Sequence, residues 1–425
     1  MPKGRKKGSK HDKYRSTEQP SSSDEDAGID MTIDNCSEIS AQSDSRSNHD
    51  EAATESEAEK LDEKVLELID NLTARSAAAR ATALGSLRSA LQRRYLGSLL
   101  ENQRATLADL ISRAIRKGRD AERKAAAAIA PLLSLQIGEE GIEEFVAEVR
   151  PALTATCVDR SASLETRTEC CSSLAVLCYL MEEDVNEIVE IMKMYETIFS
   201  RSYLKGDGSV KVSGPVLEEG AWHAAALDAW ALLLSLLSAP HAASLLQATA
   251  PAMARFAELM AACSLEVRLA AGSAVAIAHE CTGVEACEEV LARLGELAKD
   301  SHKFRAKRDR KVQRATFRDI LKYMEEDEVP ELAVRVGTEC IWCTSWGARA
   351  CYGALAGALG GGLAALAPHS PPLRHALGLA DAPVTAAPTQ KLNKLQRHLQ
   401  NSAASKARTL ARNKTRDKRT AALVV

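Results

Sequence analysis

The stretch SLEVRLAAGSAVAIAHE, residues 264–280, decides the fold. Ser264 is an N-cap residue, and the run behind it has the helical period with no strand alternation. Arg268 stands four places after the cap, Ala271 seven and Val275 eleven. The same offsets recur upstream: Ser163 leads to Arg167, Cys170 and Leu174, and Ser76 leads to Arg80, Ala83 and Leu87. Asp120 leads to Lys124 and Ala127, with Leu132 one place beyond the offset. The starts at 76, 120, 163 and 264 lie 44, 43 and 101 residues apart, the last step being about two periods. A degenerate copy without the cap-plus-Arg signature is expected over Trp222–Leu237, and a further start at Ser301, followed by Arg305.

A period of roughly 40–47 residues, with two or three helices per unit, is the armadillo/HEAT range. One such unit cannot bury its apolar face alone, so neighbours stack into a curved superhelix with a concave binding surface. Composition agrees: of 425 residues, 45% are apolar but only 4% aromatic, a supply of Ala and Leu that suits close helix packing over sheets. The expected fold is all-α, an armadillo/HEAT-like α-solenoid over residues 59–328. Residues 329–388 read as a small hairpin (Val334–Val336 and Cys340–Thr344 around Gly337), then a Gly/Ala-rich helix fraying into a linker.

The net charge of −3 is a cancellation. Residues 1–15 carry seven Lys/Arg against one Asp, and residues 16–63 carry fifteen Asp/Glu against two basic residues, interleaved with Ser. Residues 1–58 are too polar to offset the entropy of ordering, so a disordered tail is expected, its Ser residues resembling acidophilic kinase sites. The basic, polar start MPKGRKKGSK has no apolar h-region, and no segment reads as a membrane span; Ala350–Ala367 comes nearest. Eleven Cys read as small hydrophobes in a reducing compartment.

No catalytic signature is present: no GxxxxGK[ST] loop, no GxGxxG, no GxSxG elbow. His279-Glu280 opens like a zincin motif, but position 283 is Gly. Cys340 and Cys343 form the one CxxC, and Cys351, His369 and His375 offer no standard second pair for zinc. No enzyme, metal, cofactor, membrane or small-molecule substrate is expected.

Two basic clusters carry more information. In HKFRAKRDRKVQRATFR (302–318) the cations are Lys303, Arg305, Lys307, Arg308, Arg310, Lys311, Arg314 and Arg318, against Asp309 alone. Helical spacing aligns Lys303, Lys307, Arg310, Arg314 and Arg318 as one largely solvated stripe, suited to a polyanion or to an import receptor. The second cluster lies in 389–425, read as a basic amphipathic helix. Its seam is Leu392, Leu395, Leu399, Ala403, Ala407 and Leu410, and residues 391–420 hold ten Lys/Arg against Asp417. Lys394, Arg397, Lys406, Arg408, Arg412, Lys414, Arg416, Lys418 and Arg419 are the candidate contacts. Cations without a stacking aromatic suit the phosphate backbone of structured RNA better than single-strand bases.

The stretches KGRDAERKAAAAIAPLLSLQIG (117–138), IFSRSYLKGDG (198–208), VRLAAGSAVAIAHE (267–280), KFRAKRDRKVQRATFRDIL (303–321) and NSAASKARTLARNKTRDKR (401–419) are the most specific in the chain. Through them, from about residue 60 onward, the chain resembles the interferon-related developmental regulator family. The resemblance implies an armadillo-type domain, a separate C-terminal region and a non-enzymatic regulator of cytoplasm and nucleus. Two roles come with it. One is association with ribosomes, with ribosomal RNA as partner and translation dampened. The other is a nuclear co-regulator scaffold contacting repressor complexes that contain histone deacetylase during differentiation. The basic helix favours the first.

Overall fold

The computed structural model describes residues 51–380 apart from 138, 182–183, 206, 212–213, 249–250, 301–305 and 338. Most of the expected acidic tail, and the whole expected C-terminal basic helix, fall outside the described residues.

The described chain is an α-solenoid. Its first unit is α1 (Glu51–Asn71) and α2 (Ala77–Leu91). After the short α3 (Gly97–Leu100) come α4 (Arg104–Lys117) with α5 (Asp120–Gln136), then α6 (Glu139–Val158) with α7 (Leu164–Met181). The fourth unit holds α8 (Val185–Phe199), the single turn α9 (Gly214–Glu218) and α10 (Gly220–Leu234). The fifth holds α11 (Ala239–Ala248), α12 (Met253–Met260) and α13 (Leu265–Thr282). The sixth holds α14 (Glu288–Lys299) and α15 (Lys307–Glu326). The first helix begins at Glu51, ahead of the apolar period at Leu61, because EAATESEAE is rich in the helix formers Ala and Glu.

The helices form two rows. Each of α2, α5, α7, α10, α13 and α15 packs against the next, while α4, α6, α8, α12 and α14 cover one side of that inner row. The inner helices run parallel, because their first turns touch one another. Arg80 of α2 meets Glu122 of α5, Asp120 of α5 meets Ser163 and Thr166 at α7, and Arg268 of α13 meets Gln313 of α15.

The caps set the true register. They are Ser76, Arg119, Ser163, Glu219, Ser264 and Ala306. Four places on stand Arg80, Arg123, Arg167, His223, Arg268 and Arg310. Eleven places on stand Leu87, Ala130, Leu174, Trp230, Val275 and Phe317, all fully buried.

Two expected starts therefore shift. The inner helix of the second unit is capped by Arg119, not Asp120. The Asp120 carboxylate instead accepts from Ser163 N at 2.9 Å and Thr166 Oγ1 at 2.9 Å in the next unit, and Lys124 turns outward to Glu165. The inner helix of the sixth unit is capped by Ala306, and the expected start at Ser301 lies outside the described residues. The degenerate fourth copy is a complete unit with His223 in the arginine's place, and its long spacing comes from the segment between Phe199 and α9.

Beyond α15 the chain forms β1 (Leu332–Val336) and β2 (Glu339–Cys343), paired antiparallel with Val334 opposite Ile341. Gly337 turns between them at φ +60°. Then come α16 (Trp346–Leu359), α17 (Gly362–Leu366) and α18 (Pro371–Ala376). The Gly/Ala-rich stretch is thus no fraying linker: α16 lies across α13, α10, α7 and α5 as a strut.

Both ends of α16 are satisfied by the solenoid. The Glu280 carboxylate accepts from Trp346 N at 2.5 Å and Gly347 N at 3.1 Å, while Arg88 and Gln92 donate to the Ala358 and Leu359 carbonyls. An acid at the N-terminus and a guanidinium at the C-terminus also match the helix dipole. The small side chains between those ends let the strut lie close to the helices it crosses.

Between inner helices the approach is close at Gly272, where a Cβ would stand 2.7 Å from Phe317 Cε1 and 2.9 Å from Ile320 Cδ1, two anchors of α15. Gly272→Ala is expected to lower stability by about 1–3 kcal/mol through overpacking. Gly353→Ala on α16, with nothing within 4 Å of the new methyl, is expected to raise it by about 0.5–1 kcal/mol through helix propensity. Urea midpoints of the two variants check the pair, and equal midpoints refute the packing assignment.

Candidate nucleic-acid interface

Because the inner helices are parallel, their N-termini share one edge of the solenoid, each with a partial positive charge. On that edge α15 presents Lys307, Arg308 and Lys311 to solvent, and Arg318 is exposed farther along. Arg310 and Arg314 are half-buried, so the expected fully solvated stripe is interrupted. The cause is the packed face of Gln313, Phe317, Ile320 and Tyr323, over which those two side chains lie. Lys303 and Arg305, and the nine cations from Lys394 to Arg419, lie outside the described residues.

Charge runs against the helix dipole in α15. Lysines and arginines crowd its first turns, and Glu325 and Glu326 stand exposed at its end. Each such placement disfavours the helix by about 0.3–1 kcal/mol. Helix stability therefore does not account for them, whereas contact with an external anion would.

A second cationic site lies on the same edge, where α7 and α10 begin. The Arg167 guanidinium carbon lies 4.4 Å from the centroid of the Trp222 ring, and that of Arg201 lies 5.3 Å from it. Arg201 belongs to the turn Ser200–Ser202 and is exposed. Lys211 donates to the Arg201 carbonyl at 3.0 Å. His223 is fully buried beside them, its Nδ1 2.8 Å from Ser202 Oγ and its Nε2 3.6 Å from a Glu219 oxygen. Burial, with the charges of Arg201, Lys211 and Arg167 added, pushes the His223 imidazole down to about 4. None of these residues stood out as a site in the sequence. Arg201 lies in IFSRSYLKGDG, but only the return of the chain from α10 brings Trp222 beneath it.

The remaining candidates resolve into structure. Glu280 of the zincin-like His279-Glu280 pair caps α16, and His279 Nδ1 lies 3.0 Å from the Val284 carbonyl. Cys340 and Cys343 sit three residues apart on β2, one exposed and one buried, and so point to opposite faces of the hairpin. Burial pushes the Cys157 and Cys170 thiols upward, leaving them unreactive. No group of metal-ligating side chains is found among the described residues. No helix among them is long and apolar enough to cross a membrane.

Between α16 and the inner helices α7, α10 and α13 lies a groove of about 690 Å³, lined mainly by Ala, Gly and Ser, with Leu232, Leu269 and Ile277 and the acids Glu169, Asp228 and Glu266. Its lining contains no Lys or Arg. Asp228 meets solvent inside the groove, yet the surrounding protein pushes its carboxyl up, as it does that of Glu169. The strut-covered groove therefore offers an anion no cation, whereas the N-terminal edge does, a contrast that favours phosphate at the edge.

The family described as interferon-related developmental regulator matches residues 35–325, and the interferon-related protein conserved region matches residues 372–420. Interferon-related developmental regulator 2 of Mus musculus is 36% identical over 377 residues, 86% of this chain and 84% of that protein. Interferon-related developmental regulator 1 of Sus scrofa is 34% identical over 411 residues, 93% of this chain and 90% of that protein. The Homo sapiens protein of that name is 34% identical over 411 residues, covering 93% and 89%.

His223 gives this region a pH signature. Its folded-state value lies below the 6.5 of a free imidazole, so the unfolded chain takes up the proton first as pH falls. The stability present above pH 6.5 is expected to drain away between about 6.5 and 4, reaching a loss of about 3 kcal/mol from this group. Melting temperatures of the native chain and of His223→Gln over that range check it. The variant should lose markedly less stability on acidification, and parallel curves refute the assignment.

Proposed function

The chain belongs to the interferon-related developmental regulator family, and on that premise we propose that it is a non-enzymatic adaptor that docks on ribosomes and dampens translation. The observation that carries the reading is the set of cations placed against the dipole of α15, on an edge lined with helix N-termini. Lys307, Arg308 and Lys311 form that patch, with Arg310, Arg314 and Arg318 behind and beyond them. The sequence adds a larger basic block, residues 391–420, whose Lys394, Arg397, Lys406, Arg408, Arg412, Lys414, Arg416, Lys418 and Arg419 are proposed to meet ribosomal RNA phosphates. Phosphate contact from a basic block that holds no Phe, Trp or Tyr gives affinity without base readout, which suits a structured RNA surface. The chain works in the cytoplasm on this reading, and its basic runs also fit nuclear import.

Sedimentation through sucrose tests it. The chain cut after Pro388 is expected to lose co-sedimentation with ribosomes at moderate salt, while the full chain retains it. Removing six phosphate contacts (Lys394, Arg397, Arg408, Arg412, Arg416 and Arg419) should flatten the log–log salt dependence of binding by about 4–5. A truncated chain that still travels with ribosomes refutes the assignment of the contact to residues 391–420, and one that does so after Lys307, Arg308 and Lys311 are also neutralised defeats the proposal. So does purification under nuclease that loses ribosomal proteins and keeps deacetylase subunits, the outcome expected of a nuclear co-regulator scaffold.

A further inference from the structure

Three of the arginines at the fourth place after a cap have acceptors. Arg80 donates to both oxygens of Glu122, at 2.6 and 2.7 Å, and to the Ala74 carbonyl. Arg123 donates to Asp159 and to the Ile115 carbonyl, and Arg268 to Gln313 and to the Ala262 and Cys263 carbonyls. Arg167 holds the same place in α7 and is only 9% exposed, yet its Nε is buried without an acceptor. It forms no ion pair among the described residues. Its guanidinium lies against the Trp222 ring instead, and the Trp222 Nε1 is likewise buried with no acceptor.

The surroundings add positive charge. Arg201 lies against the same ring, exposed to solvent, and Lys211 is tied to its carbonyl. The N-termini of α7 and α10 meet here. Attraction to an indole offsets part of the repulsion between two guanidinium groups, but it neutralises neither. The nearby carboxylate, Glu219, stands at His223. A guanidinium whose buried Nε has no acceptor, flanked by two further cations and two helix termini, is completed by an anion with several oxygens.

We infer that Arg167, Arg201 and Lys211 form a binding site for a phosphodiester group of an RNA backbone. The inference rests on the ribosomal-RNA reading of this protein and supplies it with a contact in the body of the solenoid. Trp222, only 1% exposed, offers no face for a base to stack on, so the site takes phosphate and carries no sequence preference. It shares an edge with the α15 patch. The steps from α7 through α10 and α13 to α15 separate the two by about 24–30 Å at ordinary interhelical distances, a span that one RNA helix bridges with its backbone.

The test uses the full chain and a structured RNA hairpin as probe. Arg201→Ala with Lys211→Ala, changes to solvent-facing and loop side chains, should leave the melting temperature unchanged. The variant should flatten the log–log salt slope of hairpin binding by about 1.5, two contacts' worth. Inorganic phosphate should move the Trp222 indole N–H resonance of the native chain and leave that of the variant in place. Hairpin binding that responds to neutralising Lys394, Arg397 and Arg408 but not to the double change overturns the site while sparing the ribosomal reading. A full chain with no affinity for the hairpin overturns both. A Trp222 shift produced by a phosphoserine peptide and not by the hairpin assigns the pocket to a phosphoprotein and overturns the RNA proposal.

Discussion

The structure depends on one constraint: a helix buried on several sides carries a polar side chain in its first turn, and the fold must supply that side chain with partners. At the fourth place after each cap of the inner row stands an arginine, or in one unit a histidine. Burying an unpaired guanidinium is far more unfavourable than burying a methyl group, so these positions define the register in which units stack. Arg80 reaches Glu122 one unit on, and Arg268 reaches Gln313 one unit on, so those steps are locked by polar contacts beside the apolar ones. Asp159, paired with Arg123, is held down to about 2 by that guanidinium and by Ser161, which keeps the carboxylate charged through the neutral range.

This ladder of polar first turns also shapes the surfaces of the solenoid. Parallel inner helices leave a row of N-termini along one edge and a broad face of Ala, Ser and Gly on the side away from the outer row. The strut α16 crosses that face, and the solenoid meets its two ends with charges of the right sign, Glu280 at its start and Arg88 at its close. The result is electrostatic sorting within one domain, an acidic groove beneath the strut and basic clusters at the edge. A polyanion finds no cation on one surface and several on the other, and that difference orients it without sequence-specific contact.

Much of the fold was legible because its signal is periodic. Cap, arginine, small residue and aliphatic recur at fixed offsets, and each offset has a local physical cause that needs no knowledge of neighbours. Legibility failed where a local cue was replaced by a tertiary one. Arg119 caps α5 without the hydroxyl or carboxylate that marks a cap, so the more typical Asp120 drew the register one place forward, although its carboxylate serves the next unit. His223 does the work of an arginine through burial against Ser202, which no spacing announces. The α15 cations stood out by composition. Their division into exposed Lys307, Arg308 and Lys311 and half-buried Arg310 and Arg314 was settled by which face packs on the solenoid.

By itself the sequence determined an all-helical solenoid, its period, the small residues that let its helices approach, and the segregation of charge along the chain. These are properties of helix geometry and composition, readable one turn at a time. Tertiary structure alone decided that a Gly/Ala-rich stretch becomes a strut, that Glu280 caps it, and that Arg167, Arg201 and Lys211 gather around Trp222. Those outcomes join residues tens of positions apart, and only the stacking of units brings them within a few ångströms. The ladder arginines look alike in sequence. What separates Arg167 from Arg80, Arg123 and Arg268 is the acceptor that the neighbouring units do not give it.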